Sequence, residues 1–194
     1  MSDAMALGRR APEQRQAAVV DAARTLFLSR GVAQTSIDAI AKQAGVAKGS
    51  VYLYFATKEH IIKAIEAQFN ARILQRTHAA AAATASRDAD AAVTAWCEEL
   101  VHAYLDELDV HDMLFYSGAA ATRQSAADNS LIDDLSVLLA AHGASEPSDT
   151  AAFLVAGVTA LTDRAILEGR TNDRGALVRT AARLVAATTR MSKS

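Results

Sequence analysis

Lys48, Ser50, Tyr52 and Tyr54 stand close together in the short stretch KGSVYLY. Their ammonium group, hydroxyl group and phenol rings combine hydrogen-bonding capacity with flat apolar surfaces. Such groups can form hydrogen bonds with phosphates or base edges, and the rings can pack on thymine methyl groups or sugars. Gly49 has no side chain, so the backbone there can approach a partner closely. The stretch therefore predicts contact with DNA.

Two short helices joined by a glycine turn are expected to present this stretch. Thr35 or Ser36 can cap the first helix, and Gly45 ends it where the chain needs a positive φ angle. The second helix must end by Phe55, because Thr57 can cap the helix that follows. Residues of the type that this unit must bury are Ile40, Ala41, Ala44, Val46 and Val51. This is a helix-turn-helix pattern. A generic helical hairpin would not need a second helix so short and polar.

Positive charge and a helix end flank the short second helix. Lys48 and Lys58 supply the charge, and the helix start near Thr35 or Ser36 can hold a phosphate. The two tyrosines have an alternative role, which is to pack against the following helix. Residues 52 and 54 are about 200° apart on a helix, so they cannot share one narrow face.

The composition of the chain predicts helices throughout. The chain holds only 9 Gly and 2 Pro among 194 residues and is rich in alanine, which predicts an all-α protein. Further helical patterns are expected over residues 13–30, 58–78, 88–108, 112–123, 128–142, 149–168 and 174–190. The alanine-rich segment 79–86 is either a helical continuation or a connector. Gly31 is expected in the left-handed conformation, and Ser148 as a helix cap.

Charge is distributed unevenly along the chain. Residues 1–78 hold 11 Lys and Arg against 6 Asp and Glu, a net charge of +5, whereas residues 79–194 hold 9 against 16, a net charge of −7. A basic front part on an acidic body suits a polyanion that binds the front part only. The alternative is a chance imbalance of solvated faces. Arg9, Arg10 and Arg15 form a basic arm that either reaches DNA or is a disordered tail.

An enzyme is disfavoured by the motifs. Nucleophile-elbow, P-loop, zinc-protease and dinucleotide-binding patterns are all missing from the sequence, and the five histidines show no metal-ligand spacing. Cys97 lies among apolar residues and is expected to be inert core. We therefore expect no catalytic residues, no cofactor and no metal. The N-terminus shows no signal peptide, and the apolar run 151–158 is shorter than the roughly 20 residues of a membrane span, which predicts a cytoplasmic protein.

Residues 13–62 resemble the DNA-binding domain of the TetR family of bacterial transcriptional regulators. The family's blocks LF, RG, TS, IA, AGV, KGS and YF stand in AARTLFLSRGVAQTSIDAIAKQAGVAKGSVYLYFATKEHI. In that family the equivalents of the following residues commonly touch phosphates and bases: Thr35, Ser36, Lys48, Gly49, Ser50, Tyr52, Tyr54 and Lys58. Tyr54 departs from the pattern, because many members carry His there, and this leaves the base preference open.

The resemblance implies a division into two domains. Residues 1–60 would form a three-helix helix-turn-helix DNA-binding domain, with residues 1–12 as a flexible arm. Residues 61–194 would form a helical ligand-binding and dimerisation domain. The implied function is a ligand-responsive regulator, most often a repressor, that binds palindromic operator DNA as a dimer and is released by a small effector. An architectural DNA-binding protein without ligand control is the alternative.

The sequence supports a homodimer through the helices at 149–168 and 174–190. The first of these is apolar nearly all round, so it is expected to be buried on more than one side. One crowded monomeric core is the alternative. The large side chains of the second domain, with His102, His111 and Arg123 as polar candidates, indicate a mostly apolar pocket and a hydrophobic effector. The predicted ligand-binding residues are Trp96, Tyr104, Met113, Phe115, Tyr116, Arg123 and Phe153.

Overall fold

The computed structural model describes residues 11–84, 89–115 and 126–192. In these ranges every regular element is an α-helix, as the composition predicts. The helices are α1 (Pro12–Arg30), α2 (Ile37–Ala44), α3 (Lys48–Tyr54), α4 (Lys58–Thr84), α5 (Ala89–Asp106), α6 (Leu108–Phe115), α7 (Ala126–Ala141), α8 (Pro147–Leu167) and α9 (Arg174–Ser192).

Several predicted helix ends differ from the observed ones. Helix α4 continues through the alanine-rich segment to Thr84, because alanine favours helix and nothing there breaks it. Ser148 does not cap α8, because the helix begins at Pro147, two residues before the predicted start at 149. Proline fits the first turn, since its fixed φ suits a helix and its missing N–H costs nothing there. Gly31 has φ 82° and ψ 155°, a positive φ but not the left-handed helical conformation.

The described residues fall into two compact units. One contains residues up to Phe69 together with α6 from Asp109 onward, and the other contains Asn70–Leu108 and the described residues from 126 onward. Helix α4 belongs to both, and the units divide it between Phe69 and Asn70. The predicted functional boundary at residue 60 lies nearer the start of the same helix.

The first unit is built around the packing of α1 on α2 and α3. Val20 and Phe27 of α1, Ile40 of α2 and Val51 of α3 are all buried. Deeper in this unit, the rings of Phe69 in α4 and His111 in α6 lie 6.4 Å apart at a tilt of 51°. This core leaves little freedom for the two short helices, because each contributes buried side chains to it.

The second unit packs α5, α8 and α9 against one another, with α7 on α8 and α5. Trp96 is fully buried, and its indole N–H donates to Asp134 Oδ2 at 2.8 Å. The other oxygen of Asp134 lies 2.9 Å from His78 Nδ1. One carboxylate therefore joins α4, α5 and α7 and satisfies the only polar atom of a buried tryptophan.

An ion-pair network ties the second half of α4 to α5 and α9. Arg76 Nε lies 2.6 Å from Glu99, and its Nη2 lies 2.9 Å from Asp106. Asp106 also accepts a hydrogen bond from Arg174 of α9. The Arg174 hydrogen bond, reinforced by Arg76, holds the pKa of the Asp106 carboxyl below its usual range. A shift of α4 within this unit would have to break charge-assisted bonds to two other helices.

Helix α8 has an apolar stripe that nothing in the chain's described part covers. By length and composition alone, the helix could cross a membrane, although core helices of soluble proteins pass the same test. Leu154, Val155 and Val158 are buried, whereas Phe153 is 60% exposed and Leu167 is 72% exposed. Ala156 and Ala160 lie between them and are also exposed. The positions 153, 156 and 160 recur at helical spacing, which is typical of a surface that another helix covers, whereas Asp163 and Arg164 separate them from Leu167.

Candidate DNA-binding surface

The turn between α2 and α3 fixes where the second helix starts. Gly45 has φ 67° and ψ 33°, which is the left-handed conformation that L side chains adopt only with strain. The N–H of Val46 donates to Ala41 O at 3.0 Å, and that of Gly45 donates to Lys42 O at 3.3 Å. These bonds close the end of α2 and satisfy carbonyls that would otherwise lack partners. The predicted positive φ at Gly45 is confirmed.

Helix α3 is anchored by one side only. Val51 is fully buried and Phe55, directly after the helix, is 4% exposed. Since successive residues on a helix are about 100° apart, Gly49 and Leu53 lie opposite Val51. Leu53 is 82% exposed, and a Cβ added to Gly49 would meet nothing within 4 Å. The outward line of α3 is therefore a glycine followed by a leucine one turn later.

Four of the polar predictions lie around this line. Lys48 and Tyr52 are exposed, Tyr52 at 49%, whereas Ser50 and Tyr54 are half-buried. Ser36 is the N-cap of α2, and its hydroxyl accepts a hydrogen bond from the N–H of Ala39 at 3.2 Å. The prediction that Thr35 or Ser36 caps this helix is thus confirmed for Ser36.

Lys48 is held by a carboxylate of the preceding helix. Its Nζ lies 3.0 Å from Asp38, and this hydrogen bond raises the pKa of Lys48. Both side chains are more than half exposed. An exposed ion pair contributes little to stability, so the ammonium group can be transferred to a phosphate at small cost. Asp38 therefore places the charge of Lys48 at the start of α3.

Two of the predicted DNA contacts, Thr35 and Lys58, form hydrogen bonds within the chain. The Thr35 side chain is 2% exposed, and its hydroxyl donates to Gly31 O at 2.8 Å. The ammonium group of Lys58 donates to Val32 O at 3.0 Å and to Thr35 O at 3.2 Å. In this conformation the Thr35 hydroxyl cannot reach a phosphate, and Lys58 clamps the loop before α2. Both residues therefore stabilise the loop that leads into α2.

Leu53 is the residue that sequence reasoning missed. An apolar type in a short helix suggests core, and the prediction considered only polar and aromatic groups. The signal was nonetheless present, because position 53 is two residues after Val51 and four after Gly49, which puts it on the side away from the core.

The helix-turn-helix region matches a known family. Residues 19–65 match the model for bacterial regulatory proteins of the tetR family. This match shows that the helix-turn-helix region is a domain of the tetR-family type. Over 44 residues it is 48% identical to the fatty acid metabolism regulator protein of Bacillus subtilis (strain 168), a match that covers 23% of each protein. The chain thus matches less than a quarter of that relative's length.

Two solved structures share the fold of this chain at low sequence identity. A TetR-family transcriptional regulator from Mesorhizobium loti MAFF303099 superposes with a TM-score of 0.71 at 18% identity, over 94% of this chain and 98% of that one. The complex of SmeT with triclosan superposes with a TM-score of 0.64 at 23% identity, over 89% and 90%. These likenesses show that the chain shares its fold with those two proteins, the second unit included.

The structure describes only some of the predicted ligand residues. Trp96 and Tyr104 are buried in the second unit, and Met113 is buried in α6. Phe153 is 60% exposed on the uncovered stripe of α8, so as placed it fits a contact with another helix better than a pocket wall. The Phe115 side chain, Tyr116 and Arg123 lie outside the described residues. The pocket therefore stays a prediction.

Cys97 is buried core, as its neighbours predict. Burial raises the pKa of the thiol to about 12, so almost none of it is thiolate at neutral pH. Among the described residues, His, Cys, Asp and Glu nowhere form a group of three that could hold a metal ion.

Gly49→Ala separates folding from DNA contact. We expect the variant to be as stable as the parent or more stable by up to about 1 kcal/mol, because alanine favours helix and the added Cβ meets open space. We expect DNA affinity to fall, because the methyl group stands where the helix backbone would approach the duplex. Thermal unfolding and fluorescence anisotropy with duplex DNA measure the two effects. Unchanged DNA affinity would show that the backbone at position 49 stays away from the duplex.

Lys58→Met tests whether the hydrogen bonds from Lys58 to the loop before α2 stabilise the fold. The variant removes two charge-assisted hydrogen bonds to loop carbonyls, so we expect a loss of about 1–3 kcal/mol in the free energy of unfolding. Lys63→Met, which removes an exposed lysine one turn later in α4, is the matched control and should cost little. Urea unfolding of both variants provides the comparison. Equal stability of the two variants would show that the clamp is not structural.

Proposed function

We propose that this chain is a ligand-responsive transcriptional regulator, in its usual mode a repressor, that binds palindromic operator DNA as a homodimer. The observation that carries the proposal is the orientation of the two-turn helix α3. Val51 anchors one side of this helix in the core, and Gly49 and Leu53 lie on the side that faces outward. A helix so short and so exposed stabilises the monomer little, yet it fits the width of the DNA major groove. The family match and the positive charge of residues 1–78 support the same proposal.

The residues predicted to touch DNA divide into two groups. Lys48, Gly49, Ser50, Tyr52 and Tyr54 on α3, with Ser36 at the start of α2, would contact bases or phosphates. Thr35 and Lys58 would act by positioning, since their polar atoms bond to the loop before α2. The functional boundary near residue 60 fits this division, because Lys58 opens helix α4 and still serves the DNA-binding part.

The homodimer would form through α8 and α9. The exposed stripe of α8, with Phe153 and Leu167 at its ends, is an apolar surface on a helix whose other side is already buried. Gly157 lies beside Leu184 of α9, so the two helices approach closely enough to present one joint surface. A twofold dimer would carry two copies of α3 to half-sites about 34–36 Å apart.

A small hydrophobic effector would bind in the second domain. The SmeT structure contains triclosan, a small apolar ligand, in a protein of the same fold. In this chain the second unit buries Trp96 and Tyr104, which provide aromatic surface of the kind that lines ligand pockets. The effector would release DNA by binding better to a state in which the two copies of α3 no longer match the groove spacing. Helix α4, which runs through both units, would transmit the change.

A chain with this role would act as a non-enzymatic protein in the cytoplasm, where its DNA is. The buried and protonated thiol of Cys97 supports the first part, since it is a poor nucleophile. The relatives matched are named as regulators, which supports both parts.

The proposal is tested by selecting a preferred site from random DNA duplexes with the full chain. We expect a palindrome bound at least ~10³-fold more tightly than a scrambled duplex at the same salt concentration. We also expect Lys48→Ala with Tyr52→Ala to weaken binding to the selected site more than tenfold, whereas Lys63→Ala, an exposed lysine on α4, changes it little. Equal affinity for all duplexes would favour an architectural protein and contradict the proposal. Sedimentation and native mass spectrometry of the same sample report the dimer and any bound effector.

A further inference from the structure

Leu53 is a strongly exposed leucine on helix α3. At 82%, its exposure is higher than that of any other large hydrophobic side chain among the described residues. A single exposed leucine is common on protein surfaces and needs no explanation by itself. What distinguishes Leu53 is its direction, since it points away from the core near the end of the helix that is proposed to enter the groove.

Gly49 allows the side of α3 that carries Leu53 to approach a partner closely. It lies one turn before Leu53 on the same outward line, and the space around its Cβ position is open. Without a side chain there, the helix backbone can come close to the groove, and the leucine one turn later then projects furthest. If α3 enters the major groove, Leu53 must meet the base edges on its floor.

Of the groups on those edges, the C5 methyl group of thymine offers a leucine the largest apolar surface. In the major groove, adenine, guanine and cytosine present hydrogen-bonding groups, whereas thymine also presents its C5 methyl group. Leucine pressed against an amino or carbonyl group would remove water from it without replacing the hydrogen bond, which is unfavourable. Against the thymine methyl, both surfaces lose contact with water, which is favourable.

We propose that Leu53 is a specificity-determining residue that packs on the C5 methyl group of one thymine in each operator half-site. The inference rests on the proposed function and makes it more specific. Tyr52, 49% exposed beside it, continues the same apolar surface. Lys48, Ser50 and Tyr54 then flank the leucine and supply the hydrogen bonds that leucine cannot.

The test removes the methyl group from the DNA. In the selected duplex, each thymine is replaced in turn by deoxyuridine, which lacks the methyl group and keeps the hydrogen-bonding edges. At one thymine per half-site we expect binding of the parent protein to weaken about fourfold, since one buried methyl group corresponds to about 0.8 kcal/mol and 1.4 kcal/mol is tenfold in affinity. Leu53→Ala should bind the thymine and deoxyuridine duplexes equally, and Leu53→Met should retain a preference for thymine.

The controls keep the two proposals separable. Val137→Ala removes an equally apolar side chain, 70% exposed on α7, and should leave the thymine preference of the parent intact. Circular dichroism establishes that each variant is folded. Indifference of the parent to every thymine replacement, or an unchanged preference in Leu53→Ala, would overturn the role of Leu53 while the selected site still upholds the regulator. Failure to select any preferred duplex would overturn both.

Discussion

The burial of Val51 is the constraint on which the DNA-binding surface depends. Helix α3 has two turns, too few to be stable alone, so its orientation must come from packing. With Val51 at no exposure and Phe55 just behind it, one side of the helix is fixed in the core of the first unit. The opposite side is then fixed as well, because helix geometry leaves Gly49 and Leu53 no other direction. Everything proposed about DNA follows from that single anchored side.

Two further features keep the anchored helix in place. Gly45 ends α2 in the left-handed conformation, which sets the angle at which the chain enters α3. Lys58 bonds to two carbonyls of the loop before α2 from the first turn of α4. The polar groups on the exposed side of α3 have weak or solvent-exposed partners. Lys48 pairs with Asp38, for example, and a DNA phosphate can replace this carboxylate. The hydrogen bonds of Lys58 thus hold the fold, whereas the ion pair of Lys48 is free to exchange its partner.

Local features were predictable from the sequence, and long-range partners were not. The positive φ of Gly45 and the cap by Ser36 follow from neighbours within four residues. Lys58 was predicted as a DNA contact because lysine near a recognition helix suggests a phosphate. Its actual partners lie 23 and 26 residues earlier in the chain, where no pattern in one sequence reveals them. The partner of Thr35 was hidden for the same reason, since only the folded loop shows that its hydroxyl is buried.

Apolar residues were ambiguous in the sequence in a different way. Leu53 and Phe153 have the residue types of a core, and both are exposed. For Leu53 the spacing from Val51 was the only signal, whereas for Phe153 only the fold shows the exposure. For Phe153 this favours a helix of a second subunit as the partner, whereas for Leu53 it favours a base. The second domain was the least predictable part, because its function depends on which large side chains meet around a ligand, and helical periodicity does not determine that.

The most direct measurement of the central claim is the set of backbone amide NMR shifts of the full chain with and without its selected duplex. If α3 enters the groove by the side opposite Val51, the largest shifts will fall at residues 48–53 and at the start of α2. The exposed stripe of α8 should change little. Shifts concentrated in the second unit, with α3 unaffected, would contradict the account.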